Sequence, residues 1–174
     1  ILADRSVDAT MGNAAELVMD IIERGGARAI YHAMDEADVE RIMQHPATAV
    51  GSDGGVSVFG QSVPHPREYG TFARVLGRYV RERGVLTLEE AVRKMSGATA
   101  QRLGLQDRGL LREGLHADIA VFDAASVSDR ATFAEPHQYA EGIEYVLVNG
   151  TLVVDGGQHT GARPGRVLYG PGRR

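Results

Sequence analysis

The sequence contains no cysteine, which excludes a disulfide framework and any thiolate metal site. No apolar run is long enough to cross a bilayer. No charged-then-apolar targeting signal opens the chain. Phosphate-cradle chemistry is missing as well, because Gly51-Ser52-Asp53-Gly54-Gly55 lacks the lysine and spacing of a P-loop. There is no G-x-S-x-G nucleophile elbow, no internal repeat and no low-complexity segment. Six histidines occur, yet none forms H-x-H, H-E-x-x-H or another close pair with metal spacing. Lysine is nearly absent: of 19 basic residues only Lys94 is one, which reads as compositional bias. A net charge of −4 with scattered arginines carries no nucleic-acid footprint.

What is present describes a globular protein. The chain has 174 residues, 43% hydrophobic and 24% charged, enough for one domain or two small ones. The absence of cysteine fits a cytoplasmic protein, and neither nucleic acid nor membrane is expected as a partner. The chain opens on Ile1 rather than methionine, so a processed product or a piece of a longer polypeptide is expected.

Residues 13–24 read as a helix capped by Asn13, with Glu16 at the capping-box position and an apolar stripe of Leu17, Val18, Ile21 and Ile22. Gly25-Gly26 closes it. Ala29–Met34 reads as a short buried strand. Asp35 then caps a second helix with Val39, Ile42 and Met43 inward, ended by His45-Pro46. Thr48–Gly51 is the next expected strand, and this order resembles βα units of a parallel sheet. Thr71–Arg83 carries Phe72, Val75, Leu76, Tyr79 and Val80 on one face and stops at Gly84. Thr87-Leu88-Glu89-Glu90 is a capping box opening a helix with Ala91, Val92 and Met95 inward, broken near Gly97.

From Asp107 the character changes to short β-like runs at Ile119–Phe122, Tyr145–Val148 and Leu152–Val154. Asn149-Gly150 is the strongest hairpin signal, since both residues tolerate a type I′ turn. A boundary is placed near residue 107, giving segments 1–106 and 107–174; residues 163–174 read as an extended edge or frayed end. Two strands with a few helices close neither a parallel barrel nor a covered sheet. The pieces read as the end of something larger.

The stretch Thr48–Arg67 is where chemistry is expected. Asp53 follows an apolar run, within flexible backbone, as a catalytic carboxylate of an α/β enzyme does. Ser-Asp-Gly-Gly is also ordinary turn chemistry. Arg67 has a fork suited to a substrate carboxylate, or alternatively pairs with an acid such as Glu68 to hold the loop. His65 lies beside it in the same loop. Met34 either walls a pocket or joins the core. His45 reads as a helix-end residue, His32 lies mid-strand, and His116, His137 and His159 read as structural.

These residues also carry a resemblance. M-D-E-A-D-V-E-R-I-M-Q-H-P, G-S-D-G, H-P-R-E-Y-G-T-F-A-R-V-L-G-R-Y-V-R-E-R and L-T-L-E-E-A-V-R-K-M closely resemble the N-acyl-D-amino-acid deacylases (D-aminoacylases) of the amidohydrolase superfamily. It continues through A-D-I-A-V-F-D and V-N-G-T-L-V-V-D-G-G, covering the chain from about Ala27 to Val167. The resemblance implies an α/β fold: the C-terminal part of a TIM-like barrel, with Ala29–Met34 and Thr48–Gly51 as its last strands, followed by part of a small β-sandwich. It implies that Asp53 is the proton shuttle, taking a proton from zinc-bound water and passing it to the departing amine of an N-acyl-D-amino acid. It places Arg67 at the substrate carboxylate and Met34 near the substrate side chain, with His65 as a further substrate contact.

The departure from the family pattern is equally informative. The family's H-x-H, cysteine and further histidine ligands are missing here, so zinc is expected in the complete enzyme and not held tightly by this chain. Asp53 is the single candidate ligand. The expected partners are the substrate and either a missing N-terminal portion or a partner chain, and the isolated chain is expected to be inactive. Two alternatives stay open: a cyclic-amide hydrolase of the dihydroorotase or hydantoinase kind, and a non-catalytic barrel fragment that assembles with a partner.

Overall fold

The computed structural model describes residues 11–26, 30 and 32–169. They divide into two units, residues 1–33 and residues 34–174. The first contains α1 (Met11–Glu23). Asn13 therefore lies inside the first turn rather than at the cap. Leu17 and Ile21 are half-buried, while Val18 and Ile22 are exposed. The helix ends as its glycines require: Gly25 and Gly26, both at positive φ, donate their N–H groups to Ile22 and Ile21.

The second unit begins with α2 (Glu36–Gln44), whose cap is the expected Asp35, accepting from the N–H groups of Ala37 and Asp38. Then come α3 (Arg67–Arg74), a π-helical continuation over Val75–Glu82, α4 (Leu88–Met95) and α5 (Gly97–Arg102). Gly84, at φ +60°, stops the long helix. Thr87 caps α4 by accepting from Glu90 N–H at 3.2 Å; the Glu90 carboxylate turns instead to Arg93, so only half of the capping box forms.

The core lies between these helices and the segment around Val127. Ala73, Val75, Leu76, Tyr79, Leu86, Ala91 and Val127 are buried together, with Val39, Met43, Val50 and Met95 against them. Gly77 permits this approach: a Cβ there would stand 2.8 Å from the Val127 carbonyl oxygen. Arg81 secures the contact, its Nη1 donating to the Val127 carbonyl at 2.6 Å. Ile42, Phe72 and Val92, expected inward, are instead exposed. The wide apolar stripe therefore overstates the buried face of each helix.

A second correction concerns the two expected strands. Residues 48–51 form no strand, and neither do residues 30 and 32–34; residues 27–29 and 31 lie outside the described residues. A ladder needs a neighbouring strand, and the described residues offer none beside either run. The Val50 N–H donates to the Lys94 carbonyl instead, at 3.2 Å.

The sheet is an antiparallel meander of β1 (Ile119–Phe122), β2 (Ile143–Val148), β3 (Thr151–Asp155) and β4 (Gln158–His159). Asn149 and Gly150, at φ 47° and 78°, make the expected I′ hairpin. A second positive-φ pair, Gly156-Gly157, adds β4, which had not been expected. No strand residue is buried. Among the described residues, no helix is long and apolar enough to cross a membrane.

Candidate active site

The segment from Thr48 to Gly54 is anchored at its base by Lys94. This residue is fully buried, and its Nζ donates to the carbonyls of His45 at 2.6 Å and Thr48 at 3.0 Å, with Glu90 Oε1 at 3.5 Å. A buried ammonium needs such partners, because desolvation costs several kcal/mol, about the amount that pairing must recover. The one lysine is therefore a structural pin rather than a compositional accident.

At the other end, Ser52 ties the segment to α3. Its hydroxyl donates to the Arg67 carbonyl at 3.0 Å and accepts from the Gly54 N–H at 3.0 Å, with the Thr71 hydroxyl 3.2 Å away. Gly54 lies so close to the helix that a Cβ would stand 3.0 Å from Glu68 Cα and 3.1 Å from the Arg67 carbonyl oxygen. Between these two, Asp53 projects outward: its side chain is 91% exposed, and Oδ2 meets Arg67 Nη2 at 2.8 Å.

The N-terminus of α3 is capped by a ring. His65 Nδ1 accepts from the Arg67 N–H at 3.0 Å, which leaves any proton of the neutral imidazole on Nε2. The ring meets Phe133 edge-on at 5.1 Å. A cavity of about 490 Å³ opens beside it, lined among others by Val50, His65, Arg67, Arg74, Tyr79 and Phe133. Arg74 is neutralised within it by Asp129 at 2.9 Å. Burial pushes the Tyr79 phenol up, and its hydrogen bond to Glu36 adds to this. Burial opposes the Glu36 charge, but the Tyr79 hydroxyl and the Arg78 guanidinium outweigh it and hold the carboxyl below its usual range.

Asp53, Arg67 and His65 thus converge on one junction of loop and helix. Met34 does not line the cavity; it precedes the Asp35 cap with 79% of its surface exposed. Ser52, Lys94 and Tyr79 were not singled out from the sequence as parts of this region. A solitary lysine among so many arginines was the one signal that could have marked Lys94.

Comparison with known proteins identifies the family. The profile of the amidohydrolase family matches residues 3–154. The chain belongs to the amidohydrolase family. N-acyl-D-aspartate deacylase of Alcaligenes xylosoxydans xylosoxydans is 52% identical over 159 residues, 88% of this chain and 31% of that protein. D-aminoacylase of the same organism is 46% identical over 168 residues, 96% of this chain and 34% of that protein. N-acyl-D-glutamate deacylase of Bordetella bronchiseptica, solved with zinc and a phosphonate mimic of the tetrahedral intermediate, superposes with a TM-score of 0.70 at 47% identity, over 78% of this chain and 31% of that one. This amidohydrolase chain spans about a third of the length of the curated relatives it matches.

A metal centre does not fit the described residues of this amidohydrolase chain. Among them no group of three or more His, Asp or Glu side chains converges as a metal site would require. Asp53 has an arginine as its partner, and the His116 ring pairs with Asp107, at 3.3 Å.

Proposed function

We propose that this chain is the carboxylate-bearing C-terminal part of a zinc-dependent hydrolase that cleaves N-acyl-D-amino acids to a D-amino acid and a carboxylate. The observation that carries the reading is the outward-facing Asp53 carboxylate paired with Arg67 at 2.8 Å, within a chain similar to three deacylases of this kind. Asp53 takes a proton from water as that water's oxygen bonds to the acyl carbon. It returns the proton to nitrogen as the amide C–N bond breaks. The zinc of the complete enzyme is held by residues that this chain does not supply, in an N-terminal portion or a partner chain, and the chain alone is inactive.

Arg67 commits Nη2 to Asp53 and keeps further N–H donors of its five for the substrate carboxylate. His65 borders the substrate on the cavity side, and the exposed Met34 thioether meets its side chain. In this reading residues 1–106 complete the barrel and residues 107–174 form part of a β-sandwich, in a cytoplasmic enzyme. The unpaired run at 48–51 and a sheet without a buried residue are what such parts look like apart from their neighbours.

The test is substrate choice in the complete enzyme. Zinc-loaded protein is expected to hydrolyse N-acetyl-D-amino acids at least a hundredfold faster than their L-enantiomers or hydantoins. Preferential hydrolysis of hydantoins contradicts the reading.

A further inference from the structure

The glycine-rich loop that separates Asp53 from Arg67 is fastened at its tip by a residue far along the chain. His137 Nδ1 accepts from the Gly60 N–H at 3.2 Å, and its Nε2 lies 3.1 Å from the Ser62 carbonyl oxygen. A backbone N–H only donates and a carbonyl only accepts, so the two contacts fix the ring as the neutral tautomer protonated at Nε2. The Tyr69 hydroxyl reaches the same Nδ1 at 2.9 Å, joining α3 to the pin. Around it Phe59 stacks on Tyr139 at 5.0 Å and 25°, and packs against His137 at 5.4 Å and Tyr69 at 6.1 Å. The Ser62 backbone is at φ 58°, a left-handed conformation that a non-glycine residue holds only when its surroundings impose it. The carbonyl of this residue is the one that meets His137 Nε2.

We propose that His137 is a positioning residue for the candidate site: its neutral ring clasps the loop tip at Gly60 and Ser62 and thereby sets the spacing of Asp53 and Arg67 at the two ends of the loop. The proposal rests on the reading of those two residues as the site. The clasp lies apart from them and touches neither. Without it the loop tip keeps the ring contacts of Phe59 with Tyr69 and Tyr139 but loses both of its hydrogen bonds to the ring, and the carboxylate and guanidinium are less firmly held for one substrate geometry.

The experiment uses the complete enzyme. In the unmutated protein, ¹⁵N imidazole spectra of His137 are expected to show Nδ1 bare and Nε2 protonated; the opposite tautomer overturns the proposal. His137→Phe keeps a ring but loses both bonds. Amide exchange at residues 54–63 is expected to rise tenfold or more, with α4 unchanged, and kcat/KM to fall tenfold or more. His137→Gln, which offers an acceptor and a donor, is expected to restore most of both. Loop exchange equal to that of the unmutated protein, or faster exchange with kcat/KM unchanged, overturns the positioning role. Asp53→Asn is measured alongside: full turnover there overturns the site reading and leaves the exchange result to decide the clasp.

Discussion

The two ends of the segment 48–54 are built in opposite ways. At Thr48 the backbone carbonyl is held by a lysine that solvent does not reach, and a second carbonyl, that of His45, shares the same ammonium. At Asp53 the side chain is 91% exposed and its partner, Arg67, is 43% exposed. One end satisfies a buried charge and fixes a backbone against α4. The other leaves a carboxylate within reach of solvent and, in the proposed reading, of substrate. The difference teaches where stability is concentrated in this amidohydrolase chain and, on the proposed function, where chemistry is: substitutions at the base should cost folding, and substitutions at the Asp53 end should cost turnover.

The largest effect on stability is expected at the base. Lys94→Met keeps the volume but strips the donors from the His45 and Thr48 carbonyls and leaves Glu90 with Arg93 alone. Destabilisation of about 3 kcal/mol is expected by denaturant unfolding, while the turnover of protein that remains folded stays near normal. A loss under about 1 kcal/mol breaks the comparison, because it makes Lys94 as dispensable as a surface charge.

At the tip, Arg67→Lys retains a charge and loses the planar fork. The expected result is a KM for the acyl-amino acid raised about tenfold, or 1.4 kcal/mol, with a stability change within about 0.5 kcal/mol because the ion pair is exposed. Steady-state kinetics and thermal melts on the same preparation separate the two.

The smallest effect comes from Glu90, beside the base. Its hydrogen bond to Arg93 is the main cause of a carboxyl lowered from 4.5 to about 2; burial opposes this, and the charges of Arg93 and Lys94 add to it. A carboxyl depressed by folding contributes stability above its unfolded value and loses it as pH falls. The thermal midpoint is therefore expected to fall between pH 4.5 and 2, and by less in Glu90→Gln.

How much of this was legible follows from how local each feature is. The Asp35 cap, the Gly84 stop, the Thr87 cap and the Asn149-Gly150 turn depend on residues a few positions apart, and they could be read directly. Asp53 and Arg67 could be marked as candidates, but their pairing spans the whole glycine-rich loop and is set by the fold. Lys94 reaches back 46 residues to Thr48, and His137 reaches 77 to Gly60. No periodicity or spacing encodes contacts of that range. Residues 48–51 and the described residues 30 and 32–34 form no strand for a related reason, since a strand is defined by a neighbour and the local pattern shows only half of the pair.

The account turns most directly on the turnover of Asp53→Asn in the complete, zinc-loaded enzyme, measured on protein whose thermal midpoint matches the parent. The amide keeps the shape and loses the base, so kcat is expected to fall by about a thousandfold or more, at the strong end of general acid–base catalysis. Turnover within about tenfold of the parent would contradict the assignment of chemistry to the exposed end of the segment.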